Sequence, residues 1–112
     1  MTMRQIVIPA FNVPARGARS QLRIEGHSIV LFNVQGTLYA IGDTCPHAGA
    51  SLANAKIDGR TVQCRAHGLR FDLLTGCMTT GRGLSVKTYA IEMRDGQAYL
   101  TLPQSDERSP AC

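Results

Sequence analysis

The chain has 112 residues, 44% hydrophobic and 18% charged, which is enough for one ordinary domain and too apolar for a disordered chain. Its formal net charge of +4 sets twelve Lys and Arg, scattered from Arg4 to Arg108 with no two adjacent, against eight Asp and Glu. Without aromatic residues interleaved among them, these cations point to a solvated surface or an acidic protein partner, and no nucleic acid is expected.

No apolar run approaches the roughly 20 residues of a membrane span, so no membrane partner is expected. Pro9 and Asn12 interrupt the apolar stretch at the N-terminus, and no secretory signal is read there. Four cysteines without an export signal point away from a disulfide framework and toward metal or redox chemistry, with the cytoplasm as the expected compartment.

In chain order, residues 4–8 are β-rich and precede Pro9. Residues 21–24 alternate polar and apolar, and residues 25–28 read as a turn. Two apolar runs, 29–34 and 37–41, flank Gln35-Gly36 and form the clearest hairpin. From Gly42 to Leu74 the texture changes to Gly, Ala, Asn and Asp, with Cys and His gathered among them. Within that stretch Asp58-Gly59 reads as a turn leading into a strand that ends at Cys64, and residues 70–73 as a strand stopping at Thr75-Gly76.

Beyond Gly83, residues 86–93 read as one strand, Asp95-Gly96 as a turn and residues 98–102 as the last strand. Residues 104–112 are polar and read as a flexible tail. No long 3.6-residue period occurs. The expected class is all-β, antiparallel, with residues 1–103 as a single domain and a loop-rich insert at about 43–83 between two groups of strands.

Two motifs carry the chemistry. Cys45-Pro46-His47 is C-x-H, and after sixteen residues Cys64-Arg65-Ala66-His67 is C-x-x-H. Soft thiolates suit iron–sulfur or zinc, and imidazoles suit either. Zinc fingers usually pair cysteine with cysteine and histidine with histidine. Here each loop supplies one of each, which suits a binuclear cluster with both thiolates on one iron and both imidazoles on the other.

The motifs resemble those of Rieske proteins, whose pattern is C-x-H, a similar gap, then C-x-x-H. The likeness extends through Cys45-Pro46-His47-Ala48-Gly49-Ala50-Ser51-Leu52 and through residues 67–76, His67-Gly68-Leu69-Arg70-Phe71-Asp72-Leu73-Leu74-Thr75-Gly76. It implies a Rieske-like antiparallel β-sandwich with a cluster-binding subdomain inserted between strands. It also implies a Rieske-type [2Fe–2S] cluster on Cys45, His47, Cys64 and His67, with no catalytic residue. Arg65, Arg70 and Arg82 belong to or adjoin these loops and are read as a basic rim for redox partners.

The resemblance implies a stand-alone ferredoxin, passing single electrons from a reductase to a terminal oxygenase that hydroxylates aromatic or related substrates. The alternatives are a small Rieske subunit of another redox enzyme, such as a nitrite-reductase-like assembly, or a zinc-stabilised binding module. High-potential members join the two loops by a disulfide at positions that match Ala50 and Ala66. They also place Ser and Tyr hydroxyls at positions that match Leu69 and Phe71. Lacking those donors, this chain is expected at the low end of the Rieske range. A proline-containing third loop usual in the family is replaced by Thr79-Thr80-Gly81-Arg82-Gly83-Leu84. Cys77 and Cys112 are assigned no ligand role, and His27 is expected to be exposed.

Overall fold

The structure is a computed structural model and describes residues 3–45, 51–65, 68–79 and 83–103. Among these residues ten strands form three antiparallel sheets, ordered β1-β10-β9, β2-β3-β4-β8 and β5-β6-β7. Their ranges are β1 Met3–Ile8, β2 Arg19–Ile24, β3 His27–Val34, β4 Thr37–Gly42, β5 Lys56–Asp58, β6 Thr61–Gln63, β7 Arg70–Asp72, β8 Thr88–Tyr89, β9 Ile91–Arg94 and β10 Gln97–Pro103. The all-β reading holds. The expected tail at 104–112 lies outside the described residues.

The second sheet is apolar on both faces. Val30, Phe32 and Ile41 pack into one buried cluster with Cys45, Leu52, Val62, Cys64, Phe71 and Leu73. Ile29, Leu31 and Ala40 point the other way, into a cluster with Leu22 of the same sheet and Ile8, Ala98, Leu100 and Leu102 of the first sheet. Successive side chains leave a strand on opposite faces. The unbroken apolar run 29–32 is therefore what a strand between two cores requires. Each fully buried Leu, Ile or Phe contributes about 1.5–3 kcal/mol.

The hairpins follow from local chemistry. Glu25-Gly26, Gln35-Gly36 and Asp95-Gly96 all have positive φ at both positions, at 49° and 83°, 54° and 93°, and 52° and 76°. Such paired left-handed residues build the tight two-residue turns whose twist matches that of the strands. The first turn is shorter than residues 25–28, because His27 and Ser28 already pair with Ile24 and Arg23. The turn expected at Asp58-Gly59 sits one residue later, since Asp58 pairs with Thr61.

The strand expected over residues 86–93 is two strands. Thr88–Tyr89 pairs with β4, whereas Ile91–Arg94 pairs with β10. The chain changes sheets at Ala90, whose carbonyl accepts the Thr101 N–H at 3.0 Å. Period-two alternation continues across that change and cannot reveal it.

Gly76 is the tightest point. It is buried with φ +81°, and a Cβ there would stand 2.3 Å from the Val86 carbonyl oxygen, which itself belongs to backbone. Gly59 also has positive φ, +61°, but has open space around it. Gly76→Ala is expected to cost about 3 kcal/mol or more, combining left-handed strain with a backbone clash, against about 1 kcal/mol for Gly59→Ala. Denaturant midpoints of the two variants check this, and equal shifts would refute it.

Candidate metal centre

Cys45 lies just beyond β4, at the start of a loop whose two ends are fastened together. Thr44 bridges Ser51 in antiparallel fashion. Asp43 does most of the fastening. Its Oδ1 accepts from Ser51 Oγ at 2.7 Å and from Leu52 N–H at 3.2 Å, and its carbonyl accepts the same N–H at 2.5 Å. Asp43 is itself held to β3, with its N–H donating to the Ser28 carbonyl at 2.9 Å and its Oδ2 accepting from Ser28 Oγ at 3.4 Å. A short 3₁₀ turn, Leu52–Asn54, follows, capped by Ser51 Oγ accepting from Ala53 N–H at 3.1 Å.

Cys64 follows β6 and opens a second tight loop. Its carbonyl accepts from Gly68 N–H at 2.8 Å, and its N–H donates to the Leu69 carbonyl at 2.8 Å. Gly68 takes φ +76°, the left-handed conformation that closing so short a loop requires. Gln63 Nε2 donates to the Gly68 carbonyl at 3.2 Å from the strand side.

The segment after β7 is organised by Asp72. Its Oδ1 accepts from the N–H groups of Leu74 at 2.7 Å and Thr75 at 3.2 Å, and its Oδ2 accepts from Arg60 Nη2 at 3.1 Å. Partial burial pushes the Asp72 carboxyl up, but those two N–H groups and the Arg60 guanidinium outweigh it and hold the pKa below the usual value. Thr79 N–H donates to the Arg70 carbonyl at 3.0 Å, tying the start of the third loop to β7. Residues 80–82 of that loop lie outside the described residues.

Of the four expected ligands, Cys45 and Cys64 are brought together. Neither is in a disulfide, both are 1% exposed, and both belong to the same apolar cluster. His47 and His67 lie outside the described residues, as do Ala50 and Ala66. Two buried thiols on adjacent tight loops are the sulfur half of the donor set that a Rieske cluster needs. Leu69 packs against the cluster of buried residues and Phe71 is fully buried in it, and neither carries a hydroxyl. The residues present fit the group.

Other readings change. Arg65 does not simply extend into solvent: its Nε donates to the Asn54 carbonyl. Arg70 is exposed, and Arg82 lies outside the described residues. His27 is half-buried rather than exposed, because Nδ1 lies 3.1 Å from the Tyr89 hydroxyl and the rings meet edge to face at 5.8 Å. Burial pushes the Tyr89 phenol up, so it keeps its proton. Cys77 is disulfide-bonded, although the composition points away from disulfides. Sequence reasoning missed Asp43, Ser51 and Arg19. The first two had a signal, an acid and a hydroxyl bracketing the Cys-Pro-His loop; Arg19 had none.

A family model described as the Rieske [2Fe–2S] domain matches residues 3–90. The 3-phenylpropionate/cinnamic acid dioxygenase ferredoxin subunit of Shigella flexneri is 36% identical over 102 residues, 87% of this chain and 92% of that one. The ferredoxin in a solved complex of reduced oxygenase and oxidised ferredoxin of carbazole 1,9a-dioxygenase superposes with TM-score 0.72 at 25% identity, covering 85% of this chain and 99% of that one. A structure described as an NADH-dependent nitrite reductase small subunit from Mycobacterium tuberculosis superposes with TM-score 0.79, covering 94% and 100%. At 19% identity it shows the fold alone.

The lowered pKa of Asp72 has a direction in stability. Its contribution is fully present above the unfolded carboxyl value and is lost as pH falls through the lower folded value. Asp72→Asn is therefore expected to be less stable than the unaltered protein at pH 7 and to lose less stability on acidification. Thermal midpoints between neutral pH and pH 3 check this, and parallel pH profiles would refute it.

Proposed function

The chain belongs to the Rieske [2Fe–2S] domain family, and on that premise we propose that it is a ferredoxin passing single electrons from a reductase to a terminal oxygenase. It is an electron-transfer component rather than an enzyme, as the dioxygenase ferredoxin subunit it resembles is by name. The observation that carries the proposal is the pair of buried cysteines, Cys45 and Cys64, in one apolar cluster at the bases of two fastened loops. With His47 and His67 they are the proposed ligands. The nitrite-reductase-like alternative rests on likeness of fold alone.

The cluster, when bound, supplies a one-electron couple. The chain does the rest. Leu52, Val62, Phe71 and Leu73 exclude water from the thiolate side, and Leu69 and Phe71 offer no hydroxyl to stabilise added negative charge. The proposed outlet for the electron is the imidazole side, at His47 and His67.

A docking surface follows from the small third sheet. Lys56 pairs with Gln63 and Gln63 with Arg70, so two exposed cations flank Gln63 in one row across β5-β6-β7. Gln63 also touches the Cys64 loop through the Gly68 carbonyl. Such a row suits an acidic redox partner and steers encounter more than it adds affinity. A cytoplasmic location is part of the proposal: Cys45 and Cys64, neither in a disulfide, suit a reducing compartment, while the bonded Cys77 pulls the other way. Among the described residues no helix is long and apolar enough to cross a membrane.

Visible absorption and EPR of the reduced protein test the cluster, and electron transfer with candidate reductases and aromatic-ring oxygenases tests the partners. The midpoint potential is expected near −150 mV, the low end of the Rieske range, and a value above about 0 mV would overturn that assignment. Separately, Lys56→Glu combined with Arg70→Glu is expected to slow electron transfer to the acceptor about tenfold or more at low salt, with the difference shrinking as salt rises. An unchanged rate would remove the row from the docking surface.

A further inference from the structure

Three successive backbone carbonyls, of Ala53, Asn54 and Ala55, all accept hydrogen bonds from arginine side chains. Arg19 Nη1 donates to Ala53 at 3.0 Å and to Ala55 at 2.5 Å, and Arg65 Nε donates to Asn54 between them. These carbonyls stand at the end of the Leu52–Asn54 3₁₀ turn, where no later turn supplies N–H donors. A guanidinium suits the task because it is always charged, has donors only and holds them in a rigid plane.

The two arginines come from different places. Arg19 lies on β2, opposite Phe32, with its guanidinium 5.1 Å over that ring. Phe32 is buried in the cluster that holds both cysteines, so Arg19 is anchored to the floor of the site. Arg65 is the residue directly after Cys64. Among the described residues the ion pairs formed by arginines involve Arg4, Arg60 and Arg94, not Arg19 or Arg65.

We propose that Arg65 is a positioning residue for the metal centre, locking the Cys64 loop onto the segment that closes the Cys45 loop. The connection runs from Cys64 through Arg65 to the Asn54 carbonyl, back along the 3₁₀ turn to Leu52, and through the Leu52 N–H to Asp43, two residues before Cys45. No disulfide joins Cys45 to Cys64. Ala50 and Ala66 offer only methyl groups for the purpose. Arg65 therefore sets the spacing between the loops by hydrogen bonding, and Arg19 holds the same segment from the sheet side.

This inference rests on the reading that the two loops hold the cluster. Iron and sulfide content with EPR of the unaltered protein tests that reading first, and a cluster-free protein would sink both. With the cluster present, Arg65→Gln is expected to lose its visible absorbance to a chelator about tenfold faster, the size typical of groups that orient metal ligands. Its reduced EPR lines are expected to broaden as the loop spacing loosens. Arg65→Lys, which can still donate to the Asn54 carbonyl, is expected to recover most of the lifetime. Arg94→Gln removes the same charge from the first sheet and is expected to match the unaltered protein. An Arg65→Gln protein that keeps its cluster as long as the unaltered one, while its electron-transfer rate loses salt dependence, would make Arg65 a docking cation and overturn the proposal.

Discussion

The metal-binding end of this molecule depends on one constraint: two thiols must be kept inside a single apolar cluster. A thiolate in apolar surroundings without a positive partner is costly. A metal centre reverses that balance by supplying the charge, so binding and the packing of this region are coupled. Phe32 from the central sheet, Phe71 from the small sheet and Leu52 from the 3₁₀ turn all close on Cys45 and Cys64. Each of those residues comes from a different stretch of chain. The site is therefore a product of the whole fold on this side, although its proposed ligands come from two short loops.

The central sheet makes such a site possible because it is packed on both faces. Its other face, through Ile29, Leu31 and Ala40, is held by Leu100 and Leu102 of β10. That packing leaves the floor under the cysteines little freedom, since close-packed interiors do not yield to small displacements. The loops above can then be short and glycine-containing. Asp43 and Asp72 fasten them to strands by accepting backbone N–H groups, an economical device where a carboxylate has two oxygens and several donors point at it.

Features written in local chemistry were legible in the sequence. The hairpin turns at Gln35-Gly36 and Asp95-Gly96 follow from glycine at the second position between two apolar runs, and Asp95 also tolerates positive φ. The spacing of Cys45, His47, Cys64 and His67 carried the expectation of a metal centre, and Cys45 and Cys64 share one buried cluster. Features set by distant partners were hidden. The alternation through residues 86–93 does not say that the chain leaves one sheet for another at Ala90. Arg65 reads as a rim cation because a sequence shows its charge and not its direction, and the carbonyl it meets lies in a turn eleven residues earlier. Arg19 is further still, 34 residues from the first carbonyl it caps.

Two electrostatic effects act oppositely on the electron this site is proposed to hold. The apolar lining and the absence of hydroxyl donors at Leu69 and Phe71 disfavour added negative charge, while Lys56, Arg65 and Arg70 around the second loop favour it. Magnitudes decide between them. A cation roughly 10 Å away through water contributes about 0.4 kcal/mol, near 20 mV for one electron, before screening by salt. The Rieske range spans several hundred millivolts, from about −150 to about +300 mV, and hydrogen bonds and burial at the cluster set most of it. Against a range that wide, exposed cations at such a distance are a small contribution. The proposed docking cations, Lys56 and Arg70, would therefore act where screening by salt is itself the signature, and the potential is expected to follow the apolar lining.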